Sequence, residues 1–449
     1  MNYKIFHAYD IRGIYPDEVN EDVFYKITRG YVSLFNPKNV AVGMDARLSS
    51  PLLAESVIKA LLESGVDVLD VGEVTTDMIY FAVGSLDCSG GIIVSASHNP
   101  SEYNGMKMVR EKVAAISSDT GLFDIRDALK EGKVRDISPA KKGTLKKVDI
   151  LDDYVKHVLN FIDSSAIHPF CFVGNGNFGF VGKSVQRIVN ELGLTMIPLN
   201  FEPDGSFPKG APDPLLPENR KETEDLIKKS NVDFGVAWDA DADRVMFFDE
   251  NGRYIHGVYI TALLAKILLE KHGVNNKIIF DPRVIWPILK VIKNMGATPI
   301  ISKAGHAFIK DRMRSEDALF AGELSAHYYF RDNFYADNGI IPFLLVLEHL
   351  SKSKKKFSEI VNPFMEGHYM SGEFNYTVKN IKEVLENVRQ RYKAYGKEDF
   401  IDGYSLESED WRFNIRPSNT QPLLRLNVEA KENHLVEKIK KEIEEIIHQ

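Results

Sequence analysis

Apolar and polar positions along the chain follow a grammar that repeats. Residues 39–45, Asn-Val-Ala-Val-Gly-Met-Asp, predict a strand, and a polar loop from Ala46 to Pro51 follows it. Ser50 as N-cap and Pro51 as first helical residue predict a helix running to Ser64. Gly65 stops that helix, and residues 66–71 form the next strand. The same order returns as a strand at 169–173, a loop at 174–179, a helix at 183–192, Gly193 and a strand at 195–199. It returns again as a strand at 277–281, the loop at Pro282-Arg283, a helix through Asn294, Gly296 and a strand at 298–302. In each copy a glycine occupies the left-handed C-cap. Three copies predict three related α/β domains with mixed, largely parallel sheets and right-handed crossovers.

The pattern changes near residue 363. Strands at 369–378, 403–406, 411–415 and 423–428, with helices at 382–393 and 433–447, predict an α+β domain: an antiparallel sheet with helices on one face. The lysine run before Phe357 reads as a solvated loop. The divisions are 1–147, 148–249, 250–362 and 363–449, because a chain of this length exceeds one core.

The organising stretch lies in the first domain. Gly90-Gly-Ile-Ile-Val94 suits a strand covered on both faces, and it ends in the polar turn Ser95-Ala-Ser-His-Asn-Pro100. Pro100 pushes Asn99 out of the helical region, which leaves Ser97 and His98 at the strand's end, where open α/β sheets place ligands. Residues 6–13 read as a compact polar loop, with Tyr9, Asp10 and Arg12 close together, before a helix near 19–35.

Composition narrows the partners. A hydrophobic content of 44% with 27% charged residues is ordinary for a globular protein and argues against long disorder. A net charge of −8 argues against nucleic acid, whose binding needs a basic surface, and still permits a local anion site. Cys88 and Cys171 read as buried free thiols. Residues 1–7 lack the apolar core of a signal peptide, and the most apolar helix, near 257–270, is broken by Lys266 and too short to span a bilayer. The expectation is a cytoplasmic protein with no membrane partner.

Four constellations carry chemistry. Asp239, Asp241 and Asp243 fall at alternate positions and, on an extended chain, share one side. Three anions so close call for a cation, and oxygen ligands suit Mg²⁺ or Ca²⁺. An EF-hand is disfavoured by Arg244 at its glycine position and by strand-like flanks; a solvated acidic turn is the remaining alternative. Arg416-Pro-Ser-Asn-Thr-Gln-Pro422 with Arg425 makes either an anion cradle or a polar loop between strands. In Gly322-Glu-Leu-Ser-Ala-His327, Glu323, Ser325 and His327 alternate so as to face one way, which suits sugar hydroxyls. Ser97-His98 with Lys107 invites a hydrolase reading, yet no Gly-x-Ser-x-Gly elbow is present. A metal loop and an anion cradle favour phosphoryl transfer.

Together these four motifs resemble the active-site motifs of the α-D-phosphohexomutases, in that family's order and spacing. Phe6 to Gly13, Gly43 to Pro51 and Pro203-Asp-Gly-Ser-Phe-Pro208 are also similar, so the resemblance covers essentially the whole chain. It implies four domains around a central cleft and a Mg²⁺-dependent phosphoserine enzyme with a hexose 1,6-bisphosphate as intermediate and activator. Ser97 would carry the phosphoryl group, and Asp239, Asp241 and Asp243 would hold the metal beside it. Arg244 would position Ser97's surroundings or the sugar. Arg12, His98 and Lys107 would stabilise charge and act as general acid and base. Arg416, Ser418, Asn419, Thr420 and Arg425 would grip the unreactive phosphate, and Tyr9, His306, Glu323, Ser325 and His327 would bind substrate.

Gln421 replaces the family's usual Glu, Asp337-Asn338-Gly339 stands where a second acidic residue is usual, and the segment from Ser206 to Pro212 lacks a frequent His. Leu324 and His327 resemble the phosphomannomutase/phosphoglucomutase branch. The expectation is a phosphomannomutase that also accepts glucose phosphates, a monomer or weak dimer whose partners are hexose phosphates. Phosphoglucosamine mutase and a non-catalytic sugar-phosphate binder are the alternatives.

Overall fold

The computed structural model describes residues 1–137, 139, 141–417 and 423–448. The chain forms two compact units: Met1–Ile255 with His327–Ser358, and His256–Ala326 with Glu359–Gln449.

In the first unit the leading sheet orders its strands Ile11–Ile14, Tyr103–Arg110, Gly90–Val94, Asn39–Met44, Asp67–Glu73 and Leu145–Lys147. The first three pair antiparallel and the rest parallel. All five residues of Gly90–Val94 are buried, as a strand covered on both faces requires. Ile92 and Val94 join Val40, Val42, Phe24, Ile27, Val57 and Leu61 in one core under the helices Glu21–Phe35 and Ser50–Glu63. On the other face Thr76–Ser85 packs so close that a Cβ on Gly91 would stand 2.4 Å from Val83.

Local corrections have clear causes. The segment at 6–13 is only partly a loop: Ile11–Ile14 is an edge strand, with Arg12 opposite Gly105. A Cβ at Gly105 would lie 2.2 Å from the Ile11 carbonyl, so glycine lets these strands close. Ser50 is not the N-cap. Ser49 precedes the helix, and the Ser50 hydroxyl is bound to Asp45 Oδ1 at 2.6 Å.

The second sheet orders Tyr254–Ile255, Val245–Phe248, Phe234–Trp238, Cys171–Asn175 and Thr195–Leu199, with the last two pairings parallel. Cys88 is buried, but Cys171 opens its strand and is only half-buried. Phe172 and Phe234 stack with centroids 5.3 Å apart. The helix Ile340–Ser353 covers them: Phe343 lies 5.2 Å from Phe172 and 5.6 Å from Trp238. Trp238 Nε1 donates to the Gly339 carbonyl at 2.9 Å. Asn338, one of the departures noted above, caps this helix by accepting from Ile340 and Ile341 N–H at 2.7 and 2.8 Å. The lysines at 354–356 are exposed, as expected.

In the second unit Thr298–Ile301, Lys277–Phe280 and Phe320–Gly322 pair parallel against the helix Gly257–His272. Among the described residues no helix is long and apolar enough to cross a membrane. The antiparallel sheet orders Tyr369–Thr377, Leu423–Ala430, Trp411–Pro417, Tyr404–Glu407 and Lys397–Asp399. Its Leu424, Leu426, Val428, Phe413 and Ile415 share one core with Val388 and Val436, Ile439 and Ile443 of the helices Ile381–Tyr392 and Asn433–Ile447. The helix Phe357–Met365 runs through Pro363, where the sequence pattern changes.

Phe343→Ala removes the ring that seals the second sheet. It is expected to destabilise the first unit by about 3–5 kcal/mol, read as a shift in the denaturant midpoint at unchanged slope.

Candidate active site

The serine turn is built around a buried arginine. Arg47, fully enclosed, donates to the carbonyls of Ser97 (2.7 Å), Asn99 (2.6 Å), Pro100 (2.6 Å) and Tyr103 (2.9 Å). Its Nε is held by Asp45 at 3.1 Å, and Phe207 lies under the guanidinium at 4.9 Å. Burial lowers its pKa, and Asp45 opposes that shift. The captured carbonyls fix a turn in which Ser97 takes φ 49°, the left-handed region. From there Ser97 Oγ donates to Asp239 Oδ2 at 3.0 Å.

Asp239, Asp241 and Asp243 do not lie on an extended segment. Ala242 takes φ 52° and its N–H bonds the Asp239 carbonyl at 3.1 Å, so the three sit on a tight turn. That turn converges the carboxylates better than a strand would: oxygens from all three lie within 4.8 Å of one another, all buried. Lys107 Nζ reaches Asp241 at 2.7 Å and Asp243 at 2.5 Å. Arg244 reaches Asp239 at 2.8 Å. Thr76 Oγ1 donates to Asp241 Oδ2 at 2.7 Å. Burial opposes the charge on Lys107, yet Asp241 and Asp243 hold its pKa above the ordinary lysine value.

Three carboxylates against two direct cations leave one negative charge uncompensated. Burial and the neighbouring Asp243 and Asp241 push Asp239 up to about 8, although Arg244 opposes the rise. Asp241 Oδ1, buried, has no hydrogen-bond partner among the described residues. Carboxylate oxygens with a free lone pair beside a hydroxyl fit a hard divalent cation. Asp337, with Asp243 and His327, forms a second such group that shares Asp243.

The remaining residues of the first unit gather here. Arg12 Nε pairs with Asp10 at 2.8 Å, its Nη1 donates to Asn99 Oδ1, and against the cost of burial Asp10 holds its pKa above the ordinary value, with Tyr9 nearby. His98 pairs with a carboxylate: its Nδ1 meets Asp213 Oδ2 at 3.1 Å. Asp213 also faces Arg244 at 3.4 Å. Burial and then Arg244 lower the His98 pKa against the pull of Asp213, so the ring is neutral near pH 7; with 37% of its side chain exposed, solvent moderates the shift. His327 Nε2 lies 3.5 Å from Asp243.

The sequence reading missed Arg47, Asp213 and Phe207. The last two come from the segment around Ser206 to Pro212 that showed no chemistry of its own.

The second unit carries a separate cluster. Glu323, Ser325 and His327 do not alternate along a strand: the strand ends at Gly322, Ala326 takes φ 65°, and its N–H closes a turn on the Glu323 carbonyl at 3.0 Å. Glu323 and Ser325 stay in this unit, and His327 belongs to the first. Arg283, forked onto Asp281 at 2.8 and 2.9 Å, donates to Ser325 Oγ at 3.4 Å and stands 3.8 Å from Glu323. Glu323 also accepts from Gly305 N–H at 2.8 Å, just before His306 opens its helix. Arg416 and Arg425 approach Glu373 at 3.6 and 3.3 Å. Ser418, Asn419, Thr420 and Gln421 lie outside the described residues.

Family models for phosphoglucomutase/phosphomannomutase match the chain in four parts. Alpha/beta/alpha domain I covers residues 3–135, domain II 152–252, domain III 256–367 and the C-terminal domain 373–446. A phosphomannomutase of Vibrio cholerae is 44% identical over 95% of this chain and 94% of its own. Proteins named phosphohexose mutases, from Xanthomonas campestris, are 43% identical over 96% of both chains. A crystal structure of a phosphoglucomutase/phosphomannomutase family protein from Burkholderia thailandensis superposes with TM-score 0.90 at 28% identity, covering 99% of this chain and 97% of that one.

Without metal, Asp239 keeps a proton that the unfolded chain releases. The Asp239 contribution to metal-free stability is thus expected to fall as pH rises from about 4 toward 8. The lowered His98 pKa contributes with the opposite sign between about 4 and 6.5, so the fall is read as the difference between the parent protein and Asp239→Asn. A divalent cation at a hundred times its Kd should add about 2.7 kcal/mol, and Asp241→Asn should remove that gain in thermal melts of chelator-treated protein.

Proposed function

The chain belongs to the phosphoglucomutase/phosphomannomutase family, and on that premise we propose that it is a phosphomannomutase. It interconverts mannose 6-phosphate and mannose 1-phosphate, and also acts on glucose phosphates. The observation that carries the reading is Ser97 Oγ set 3.0 Å from Asp239 within three buried, under-compensated carboxylates. A hydrolase with His98 activating Ser97 would need the Ser97 hydroxyl to donate to the imidazole; instead Ser97 Oγ donates to Asp239 Oδ2.

In the proposed cycle Ser97 enters phosphorylated. A substrate hydroxyl attacks phosphorus, the P–O bond to Ser97 Oγ breaks, and the hydroxyl gives up its proton. His98 suits that proton: Nδ1–H donated to Asp213 leaves Nε2 with a lone pair, and the neutral ring is ready to accept. Arg12 and Lys107 stabilise the charge on the moving group, and Arg244 holds Asp239 beside it. Asp239, Asp241 and Asp243 with Ser97 would hold Mg²⁺, which supplies charge neutralisation at the transferred phosphoryl oxygens. The hexose 1,6-bisphosphate so formed returns its other phosphoryl group to Ser97, with the proton moving back.

In the second unit Glu323, Ser325 and His306 are proposed to bind the sugar hydroxyls. Arg416 and Arg425, with Ser418, Asn419 and Thr420, are proposed to hold the phosphate that is not reacting. In the first unit, Tyr9 and His327 are proposed as further substrate-binding residues. Leu324 and His327 support mannose and glucose phosphates over the amino sugar.

Intact-mass analysis should find a fraction of the protein carrying one phosphoryl group, mapping to Ser97. Ser97→Ala is expected to cut kcat by at least about three orders of magnitude; a near-normal rate would remove Ser97 from the mechanism. Comparing kcat/KM for mannose, glucose and glucosamine 1-phosphates tests the substrate, and a strong preference for glucosamine 1-phosphate would sink the phosphomannomutase reading.

A further inference from the structure

The arginine cradle of the second unit already contains an anion. Arg416 and Arg425 stand directly opposite one another on antiparallel strands, where like charges repel. Glu373 meets both: its Oε1 is 3.3 Å from Arg425 Nη1 and its Oε2 is 3.6 Å from Arg416 Nη2. Arg283 Nη1 is 3.6 Å from the same Oε2. A local distortion aims the side chain there. The strand Tyr369–Thr377 slips register between Met370 and Glu373, Gly372 takes φ 75°, and Asn427 donates to the Gly372 carbonyl at 3.2 Å. Bulges of this kind redirect the side chain that follows.

The quality of the contacts distinguishes Glu373 from a positioning carboxylate. Asp281 holds Arg283 through a two-bond fork at 2.8 and 2.9 Å, the geometry of a fixed pair. Glu373 instead sits at ion-pair distances of 3.3 to 3.6 Å. Its Oε2 accepts no hydrogen bond among the described residues, and 24% of the side chain is exposed. It is a counter-ion on an edge strand, held at ion-pair distances.

We propose that Glu373 is the resident counter-anion of the phosphate cradle. It offsets the repulsion between Arg416 and Arg425 when no ligand is bound, and an arriving phosphate must compete with it. The effect is to weaken the grip on the unreactive phosphate, so that a bisphosphorylated sugar can release one end and present the other. This rests on the reading that Arg416 and Arg425 bind that phosphate.

The test is calorimetric titration of the full-length protein with inorganic phosphate, with Arg416→Ala identifying the binding event that belongs to the cradle. Glu373→Gln is expected to bind phosphate about three- to tenfold more tightly. The KM for mannose 1-phosphate should fall in parallel while kcat does not rise. A carboxylate that merely positioned the arginines would give the opposite sign, a weaker Kd and a higher KM. Unchanged or weaker phosphate binding overturns the proposal, as does the lack of any phosphate binding that depends on Arg416. If the Gln variant does not fold, Glu373→Ala is read by the same criterion. Normal mutase turnover without tighter phosphate binding defeats only the counter-anion role. Tighter binding in a protein with no mutase turnover defeats only the enzymatic reading.

Discussion

Three carboxylates buried beside one hydroxyl set the terms for the first unit. Isolated, such charges could not leave water; they are tolerated because Lys107 and Arg244 are buried with them. Lys107 rises from the strand Tyr103–Arg110 of the leading sheet, and the aspartates follow the strand Phe234–Trp238 of the second. Their ion pairs therefore join the two sheets. Removing one partner of such a pair costs about 3–5 kcal/mol, because the other charge is left uncompensated. The same contacts that bring Ser97 to the acidic turn thus contribute to the stability of the unit.

Arg47 plays the complementary part for the backbone. A turn that ends a buried strand leaves carbonyls that cannot all reach water. One guanidinium donates to four of these and holds Ser97 in a left-handed conformation that costs free energy on its own. The serine is fixed before any ligand arrives, which is what transfer by positioning requires.

Much of this was legible along the chain. The glycine stops and β-branched runs announced the repeated α/β unit because they act locally: Gly65, Gly193 and Gly296 all take positive φ. The acidic triad and the serine turn were legible as clusters of unusual residue types. What escaped depends on contacts between residues distant in sequence. Asp213 reaches His98 from a stretch with no distinctive pattern, and Arg47 looked like any polar loop residue. Alternation failed at Glu323 to His327, and the extended reading failed at Asp239 to Asp243, for one shared reason. An alanine in the left-handed region, Ala326 or Ala242, turns the chain where residue type gives no warning.

The first unit is discontinuous, and this bears on how it is made. Trp238 is sealed by a helix that begins just after Gly339, 101 residues further along. At ribosomal speeds of about 5–20 residues per second, that interval lasts roughly 5–20 s. Over that interval Phe172, Phe234 and Trp238 have been made while Phe343 has not. An aromatic face destined for the core of the unit thus spends seconds without its cover. During that time the surface is available to chaperones and to neighbouring chains alike, and the last segment of the unit to be synthesised is the one that ends this exposure.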